Sequence, residues 1–212
     1  MLHHLRDVLG HADPDVLVID RYLHTQVVQR LILRQPVRVL AFESLIELIE
    51  SAAEWQIHGL VGLPQQVGSR VLGYPVMCSD DDLPALREEC LAAVLAIGQL
   101  PDSAPRVCLA GQLQRFGFQC PVLISPHAVV SRYAQLGPGT TVGHGVIVNA
   151  GAVVGDHCII NSRALVEHDV QIGHHCHIST GVLVNGGVTV GSGSFIGSGA
   201  MIREGLNLPP LT

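Results

Sequence analysis

The chain has 212 residues, of which 48% are hydrophobic, and its formal net charge is −6. This length accommodates one repeat domain and one small companion domain, and the negative charge argues against nucleic acid as a partner. All twelve basic residues are Arg, so Schiff-base chemistry and the lysine of a phosphate-binding loop are excluded.

The six cysteines show no C-x-x-C spacing, so the sequence predicts neither a disulfide framework nor a structural zinc site, and no metal is expected. Cys158 and Cys176 are 18 residues apart and are predicted to stack as small core residues. The N-terminal region has no apolar run long enough for a signal peptide or a membrane span. These features predict a cytoplasmic protein without membrane insertion.

Along the chain, residues 1–36 are predicted as an N-terminal extension that includes a possible strand, DVLVID. We assign no function to this extension. Residues 37–121 alternate between apolar strands and helix-like stretches, which predicts a small parallel α/β domain. Its predicted elements are VRVLAF (37–42), SLIELIESAAEW (44–55), IHGLVG (57–62), AAVLAIG (92–98) and SAPRVCLAGQLQRFG (103–117).

From residue 124 to residue 207 the chain divides into fourteen six-residue repeats, each of which begins with Ile, Val or Leu. A six-residue step on an α-helix rotates by roughly 240°, so this pattern cannot hold one helical face. Gly clusters at the fourth position, where it interrupts any long strand. The pattern predicts a parallel β-helix over residues 122–207, with the first residue of every repeat in the core. Residues 208–212 are predicted as a short tail, because Pro209 and Pro210 cannot continue a strand ladder.

The segment NSRALVEHDVQIGHHCHISTGVLVNGG, together with VLGYPVM, AAVLAIG and ISPHAVVS, resembles the NeuD and PglD family of hexapeptide-repeat sugar acetyltransferases. The resemblance implies a Rossmann-like α/β domain, substrate-binding in relatives, followed by a left-handed β-helix with 18 residues in each coil. It also implies acetyl-CoA as co-substrate, a sugar or nucleotide-linked sugar as acceptor, and a homotrimer with active sites between subunits.

The resemblance places the family's catalytic histidine at His168 and its neighbouring acid at Asp169. It places residues that contact the cofactor at Asn161, His177 and Gly186. Glu167 shares a repeat position with Asn149 and Asn185, and we assign it to the acceptor sugar.

The residues themselves support this assignment. His168 and Asp169 are the third and fourth residues of the repeat VEHDVQ, at a predicted corner from which side chains project outward. A neutral imidazole can take a proton from an attacking amine or hydroxyl, and a nearby carboxylate would orient the ring. Gly186 follows 18 residues later and is expected to leave room for the thioester. His157 and His175 are predicted to be exposed corner residues.

Two other functions stay open at this stage. A degenerate, non-catalytic relative is suggested by VRVLAF, which runs into ESLIELIE without phosphate-cradling glycines, and by the few repeats that follow EHD. A metal enzyme like the γ-class carbonic anhydrases would share the β-helix and use histidine ligands. Those enzymes resemble one another in two ligands five residues apart, and no histidine pair in the repeats has that spacing.

Overall fold

The computed structural model describes residues 15–19, 41–99 and 102–212. Within these ranges the chain forms an α/β domain followed by a parallel β-helix. No helix in the described ranges is long and apolar enough to cross a membrane.

The α/β domain contains a five-stranded sheet with the order β3-β4-β2-β1-β5. Strands β4, β2, β1 and β5 are parallel to their neighbours, and β3 joins antiparallel at the edge. The strands are β1 (Asp15–Ile19), β2 (Gln56–Gly62), β3 (Arg70–Val71), β4 (Tyr74–Ser79) and β5 (Ala92–Leu95). The predicted strands at 57–62 and 92–98 are therefore confirmed, the second ending earlier than expected.

Helices cover both faces of this sheet. The helices are α1 (Ala41–Ala52), α2 (Leu83–Leu86) and α3 (Ala104–Arg115), with short 3₁₀ turns at Pro64–Gln66 and Asp80–Asp82. Helix α1 packs in one core cluster with Leu60 and Val94, and α3 packs in a second cluster with Val61 and Leu95. Because successive strand residues point to opposite faces, the two helices lie on opposite sides of the sheet.

Two predictions about the N-terminal region need correction. The possible strand in DVLVID is β1, which pairs with both β2 and β5 in the middle of the sheet, so this part of the predicted extension belongs to the α/β domain. Ala41 and Phe42, predicted as the end of a strand, belong to helix α1. The rest of VRVLAF, residues 37–40, lies outside the described residues.

The β-helix consists of three parallel sheets, each built from five two-residue strands. The first sheet (sheet A) contains β6 (Leu123–Ile124), β9 (Thr141–Val142), β12 (Ile159–Ile160), β15 (His177–Ile178) and β18 (Phe195–Ile196). Sheet B contains β7 (Val129–Val130), β10 (Ile147–Val148), β13 (Leu165–Val166), β16 (Leu183–Val184) and β19 (Met201–Ile202). Sheet C contains β8 (Gln135–Leu136), β11 (Val153–Val154), β14 (Gln171–Ile172), β17 (Thr189–Val190) and β20 (Asn207–Leu208).

Every strand pairs with the strand 18 residues later, as in Val148 with Val166 and Ile160 with Ile178. One coil therefore takes three repeats, and the stacking is consistent with the left-handed β-helix of hexapeptide-repeat proteins. The second residue of each strand from Val142 to Ile202 lies in one continuous core, which confirms the predicted inward positions there. Cys158 and Cys176 are buried in the same core, as predicted.

The corners between strands require a left-handed backbone at the fourth repeat position. From Gly139 onward every fourth-position residue has a positive φ, and eight of them are Gly. The non-glycine residues there include His157, Arg163, Asp169 and His175, with φ of 55° to 60°. Glycine adopts this conformation without steric cost, which explains its clustering at the fourth position.

Both ends of the repeat region differ from the predicted pattern. Ile124 is 38% exposed, because it lies in the first coil, whereas the preceding Leu123 packs into the α/β core. At the other end, Asn207–Leu208 pairs with Thr189–Val190. Leu211 N–H donates to Ser192 O at 3.1 Å and Phe195 N–H donates to Thr212 O at 2.9 Å, so residues 208–212 continue the last coil.

Candidate active site

The corner between sheet B and sheet C carries the candidate active site. An open cavity of about 490 Å³ lies at this corner. It is lined by residues of three consecutive coils, namely Glu167, His168, Asn185, Gly186, Arg203 and Glu204. The coils stack directly here, because Gly187 N–H donates to His168 O and Gly205 N–H donates to Gly186 O, both at 3.0 Å.

His168 and Asp169 form an exposed pair at this corner. His168 Nδ1 lies 3.0 Å from Asp169 Oδ2. A carboxylate can only accept a hydrogen bond, so Nδ1 carries the proton and donates it, and Nε2 is left as the acceptor of the neutral ring. The hydrogen bond to Asp169 is the main reason why the pKa of His168 is raised above its ordinary value, with smaller contributions from Glu167 and Glu204.

Glu167 is held in place by its neighbours. Its Oε2 accepts a hydrogen bond from Asn149 Nδ2 at 2.9 Å and a longer one from the His168 backbone N–H at 3.3 Å. Asn185, at the same position one coil further, donates instead from Nδ2 to Ile202 O at 2.7 Å. The predicted acceptor-side residue therefore lines the cavity with its carboxylate oriented by an asparagine of the preceding coil.

Gly186 makes room for the imidazole itself, which differs from the expectation that it leaves space for the thioester. A Cβ at this position would lie 2.7 Å from both Cε1 and Nε2 of His168. This separation is much shorter than a van der Waals contact, so the ring of His168 leans over the glycine. The absent side chain sets the position of the proposed base.

Asn161 and His177 meet each other but lie away from this corner, on sheet A and the turn that follows it. Asn161 Nδ2 is 3.5 Å from His177 Nε2, and His177 Nδ1 is 2.6 Å from the carbonyl oxygen of Gln99. Because that carbonyl can only accept, Nδ1 donates, and burial lowers the pKa of His177. The structure therefore separates the five catalytic and cofactor residues into two groups, one with His168, Asp169 and Gly186 and the other with Asn161 and His177.

His157 and His175 are not the exposed corner residues that were predicted. Their rings stack with centroids 5.3 Å apart and an angle of 7° between planes, against the fully buried Arg106 of helix α3. Arg106 donates to His157 O at 3.2 Å and to Ile97 O at 2.6 Å. Burial lowers the pKa of His157 to about 4, with His175 and Arg106 adding to the effect. These histidines belong to the junction between the two domains, which covers the corner.

The sequence reasoning missed Glu204 as a site residue and considered Arg203 only as a phosphate contact. The repeat spacing contained the signal, because Glu204 follows His168 by two coils of 18 residues and shares its corner. Gln99, which fixes His177, carries no such signal, because it lies outside the repeats. Within the described residues, no three His, Cys, Asp or Glu side chains are grouped so that they could hold a metal ion.

Comparison with known proteins agrees with this geometry. A family model described as bacterial transferase hexapeptide (six repeats) matches residues 151–186, the segment that contains His168. A search of curated proteins found no match.

Solved structures of acetyltransferases match most of the chain. The acetyltransferase domain of PglB from Neisseria gonorrhoeae is 26% identical with a TM-score of 0.77, covering 93% of this chain and 86% of that one. The same domain was also solved in complex with acetyl coenzyme A. A mutant of perosamine N-acetyltransferase from Caulobacter crescentus, in complex with CoA and GDP-perosamine, is 26% identical with a TM-score of 0.71, covering 95% and 93%.

The stacked hexapeptide coils and the His–Asp corner define a class of transferase. Together with the family match and the similar acetyltransferases, they identify this chain as an acyltransferase with hexapeptide repeats. The likeness extends to sugar acetyltransferases of the PglB and perosamine type.

Proposed function

We propose that the chain is an acetyl-CoA-dependent acetyltransferase that acts on an amino or hydroxyl group of a nucleotide-linked sugar. The observation that carries the proposal is the His168–Asp169 pair, with Nδ1 bonded to the carboxylate and Nε2 at an open cavity. The similar proteins support the donor and the acceptor class, because their structures contain acetyl coenzyme A or CoA with GDP-perosamine.

Transfer is direct in this proposal. As the acceptor nitrogen or oxygen forms a bond to the thioester carbonyl carbon, its proton passes to His168 Nε2, and the C–S bond then breaks. The imidazolium returns the proton to the departing thiolate. Asp169 stabilises the imidazolium, Glu167 faces the acceptor sugar, and Asn161 and His177 contact the CoA from their separate surface. The α/β domain is Rossmann-like in this proposal and binds the nucleotide part of the acceptor.

The direct test is acetyl transfer from acetyl-CoA to GDP-perosamine and to UDP-linked amino sugars, followed by thiol release. Isothermal titration with acetyl-CoA is the companion measurement, and binding at micromolar strength supports the enzyme. A chain that neither binds acetyl-CoA nor releases thiol would favour the alternative, a degenerate relative that retains the β-helix without catalysis.

The raised pKa of His168 predicts the pH dependence of the reaction. Only the unprotonated ring can act as the base, so kcat/KM should fall as the pH drops through the pKa of His168. Because Asp169 raises that pKa above the ordinary value of 6.5, the loss should begin above that pH. Asp169→Asn removes the carboxylate and should move the inflection to lower pH. An inflection that stays in place in this variant would separate Asp169 from the base.

A homotrimer forms part of the proposal, and the outward face of sheet B is the surface that a second copy would cover. The first residue of every strand in this sheet is apolar, and Val129, Ile147 and Met201 are 65%, 40% and 70% exposed. The other two members of the row are Leu165 and Leu183. The corresponding row on sheet C contains Gln135, Gln171, Thr189 and Asn207. An apolar face of this extent is typical of a protein interface, and it borders the His168 corner.

Light scattering should therefore report a trimer for the wild-type chain. Leu183→Asp places a charge in the middle of the apolar row, where burying it unpaired costs several kcal/mol, so this variant should dissociate to monomers. The control is Gln171→Asp, which adds the same charge on the outward face of sheet C and should leave the trimer intact. A wild-type monomer at micromolar concentration would contradict the assembly.

A further inference from the structure

The wall of the cavity opposite His168 is formed by Arg203 and Glu204, which the resemblance does not assign. Glu204 follows Gly186 by 18 residues and His168 by 36, so the three residues occupy one corner in consecutive coils. Neighbouring strands are about 4.8 Å apart, which places the backbones of His168 and Glu204 roughly 9.6 Å from each other. Gly186 has no side chain to fill the space between them.

The orientation of the imidazole turns this space into a site between two functional groups. The ring of His168 leans over Gly186, where an added Cβ would lie 2.7 Å from Nε2. The basic nitrogen is therefore on the side of the ring that faces Glu204. The negative charge of Glu204 is also one of the causes that raise the pKa of His168. A ligand group above Gly186 would have the imidazole on one side and the carboxylate on the other.

Glu204 also differs from Glu167 in its bonding. Glu167 Oε2 accepts hydrogen bonds from Asn149 and from the His168 backbone, which fix its position. Glu204 is exposed, and neither its carboxylate nor the Arg203 guanidinium makes a hydrogen bond or an ion pair to any residue in the described ranges. Its oxygens are available to a ligand in the cavity.

We propose that Glu204 binds the attacking group of the acceptor and selects an amine over a hydroxyl, an inference that rests on the proposed acetyltransferase function. An amine arrives as an ammonium ion, whose charge-assisted hydrogen bond to a carboxylate is roughly twice as strong as a neutral one. The ammonium releases one proton to water, and Glu204 accepts an N–H of the resulting amine. The nitrogen then bonds to the thioester carbon, its second proton passes to His168 Nε2, and the C–S bond breaks.

The test compares two acceptors, GDP-perosamine and its counterpart with a hydroxyl in place of the amine. Wild-type protein should acetylate the amine in preference. A hydrogen bond to a charged group contributes about 1.5–3 kcal/mol, so Glu204→Gln should lower kcat/KM for the amine by about 10- to 100-fold, mainly through KM. The hydroxyl acceptor should be nearly unaffected. The control is Asp156→Asn, which removes a negative charge at a different corner of the β-helix and should change neither acceptor.

The outcomes separate this inference from the proposed function. Equal loss for both acceptors, or no loss for the amine, would overturn the role of Glu204 and leave acetyl transfer intact. If the wild-type chain acetylates neither compound, the proposed function fails, and calorimetric binding of the two compounds still decides the inference. Weaker binding of GDP-perosamine to Glu204→Gln than to wild type supports it; identical binding, or none to either protein, overturns it.

Discussion

His168→Ala should lower kcat by about 10²- to 10⁴-fold, the range expected when a general base is removed, and should leave the affinity for acetyl-CoA nearly unchanged. The imidazole acts on the proton of the acceptor, so its loss affects a step that follows donor binding. The measurement is thiol release with an acceptor that the wild-type protein acetylates, together with calorimetric titration of acetyl-CoA. Circular dichroism should be unchanged, because the side chain is exposed and its removal leaves no cavity.

The chain offers a matched control in a second exposed His–Asp pair. His174 Nδ1 lies 3.4 Å from Asp156 Oδ2, but the Asp156 backbone N–H donates to that same Nδ1 at 3.0 Å. In the neutral ring Nε2 therefore carries the proton and cannot accept another, in contrast with His168. His174→Ala should retain wild-type activity. Equal losses in the two variants, or none in His168→Ala, would remove the catalytic assignment and favour the non-catalytic alternative.

The β-helix could be predicted from the sequence because its periodicity is local. Every repeat contains its own inward residue and its own corner, so the 18-residue coil and the core from Val142 to Ile202 follow from the spacing alone. Ile124 deviates because burial in a stacked structure depends on a coil on each side, and it lies in the first coil. The central position of β1 could not be read from its residues, since strand order depends on contacts between distant segments.

The candidate site was predictable to the extent that it depends on the repeat. The spacing placed Gly186 next to His168, and it would also have placed Glu204 there. It could not show that the imidazole occupies the space above the glycine, because side-chain orientation depends on the Asp169 hydrogen bond. Nor could it show that His157, His175 and His177 are covered by residues 99 and 106, because those contacts join segments some 50 to 80 residues apart.

The position of the imidazole leads to the second large effect. Gly186→Ala adds a Cβ that would lie 2.7 Å from the ring of His168, so the ring must move away and its hydrogen bond to Asp169 should be lost. Displacement of a reacting group by about 1 Å can cost about 10²-fold in rate, and kcat should fall by that order. The fold should persist, because an exposed side chain can rotate into solvent. In the same variant, NMR titration should show a lower pKa for His168.

Gly197→Ala is the control for this substitution. It changes a glycine at another β-helix corner where an added Cβ would meet only Phe195, at 4.0 Å, so neither activity nor the His168 titration should change. The two readouts distinguish displacement of the base from obstruction of the donor. A Gly186→Ala protein with reduced activity and an unchanged pKa of His168 would mean that the glycine serves the thioester, as the sequence suggested. A lower pKa together with lower kcat would mean that it positions the imidazole.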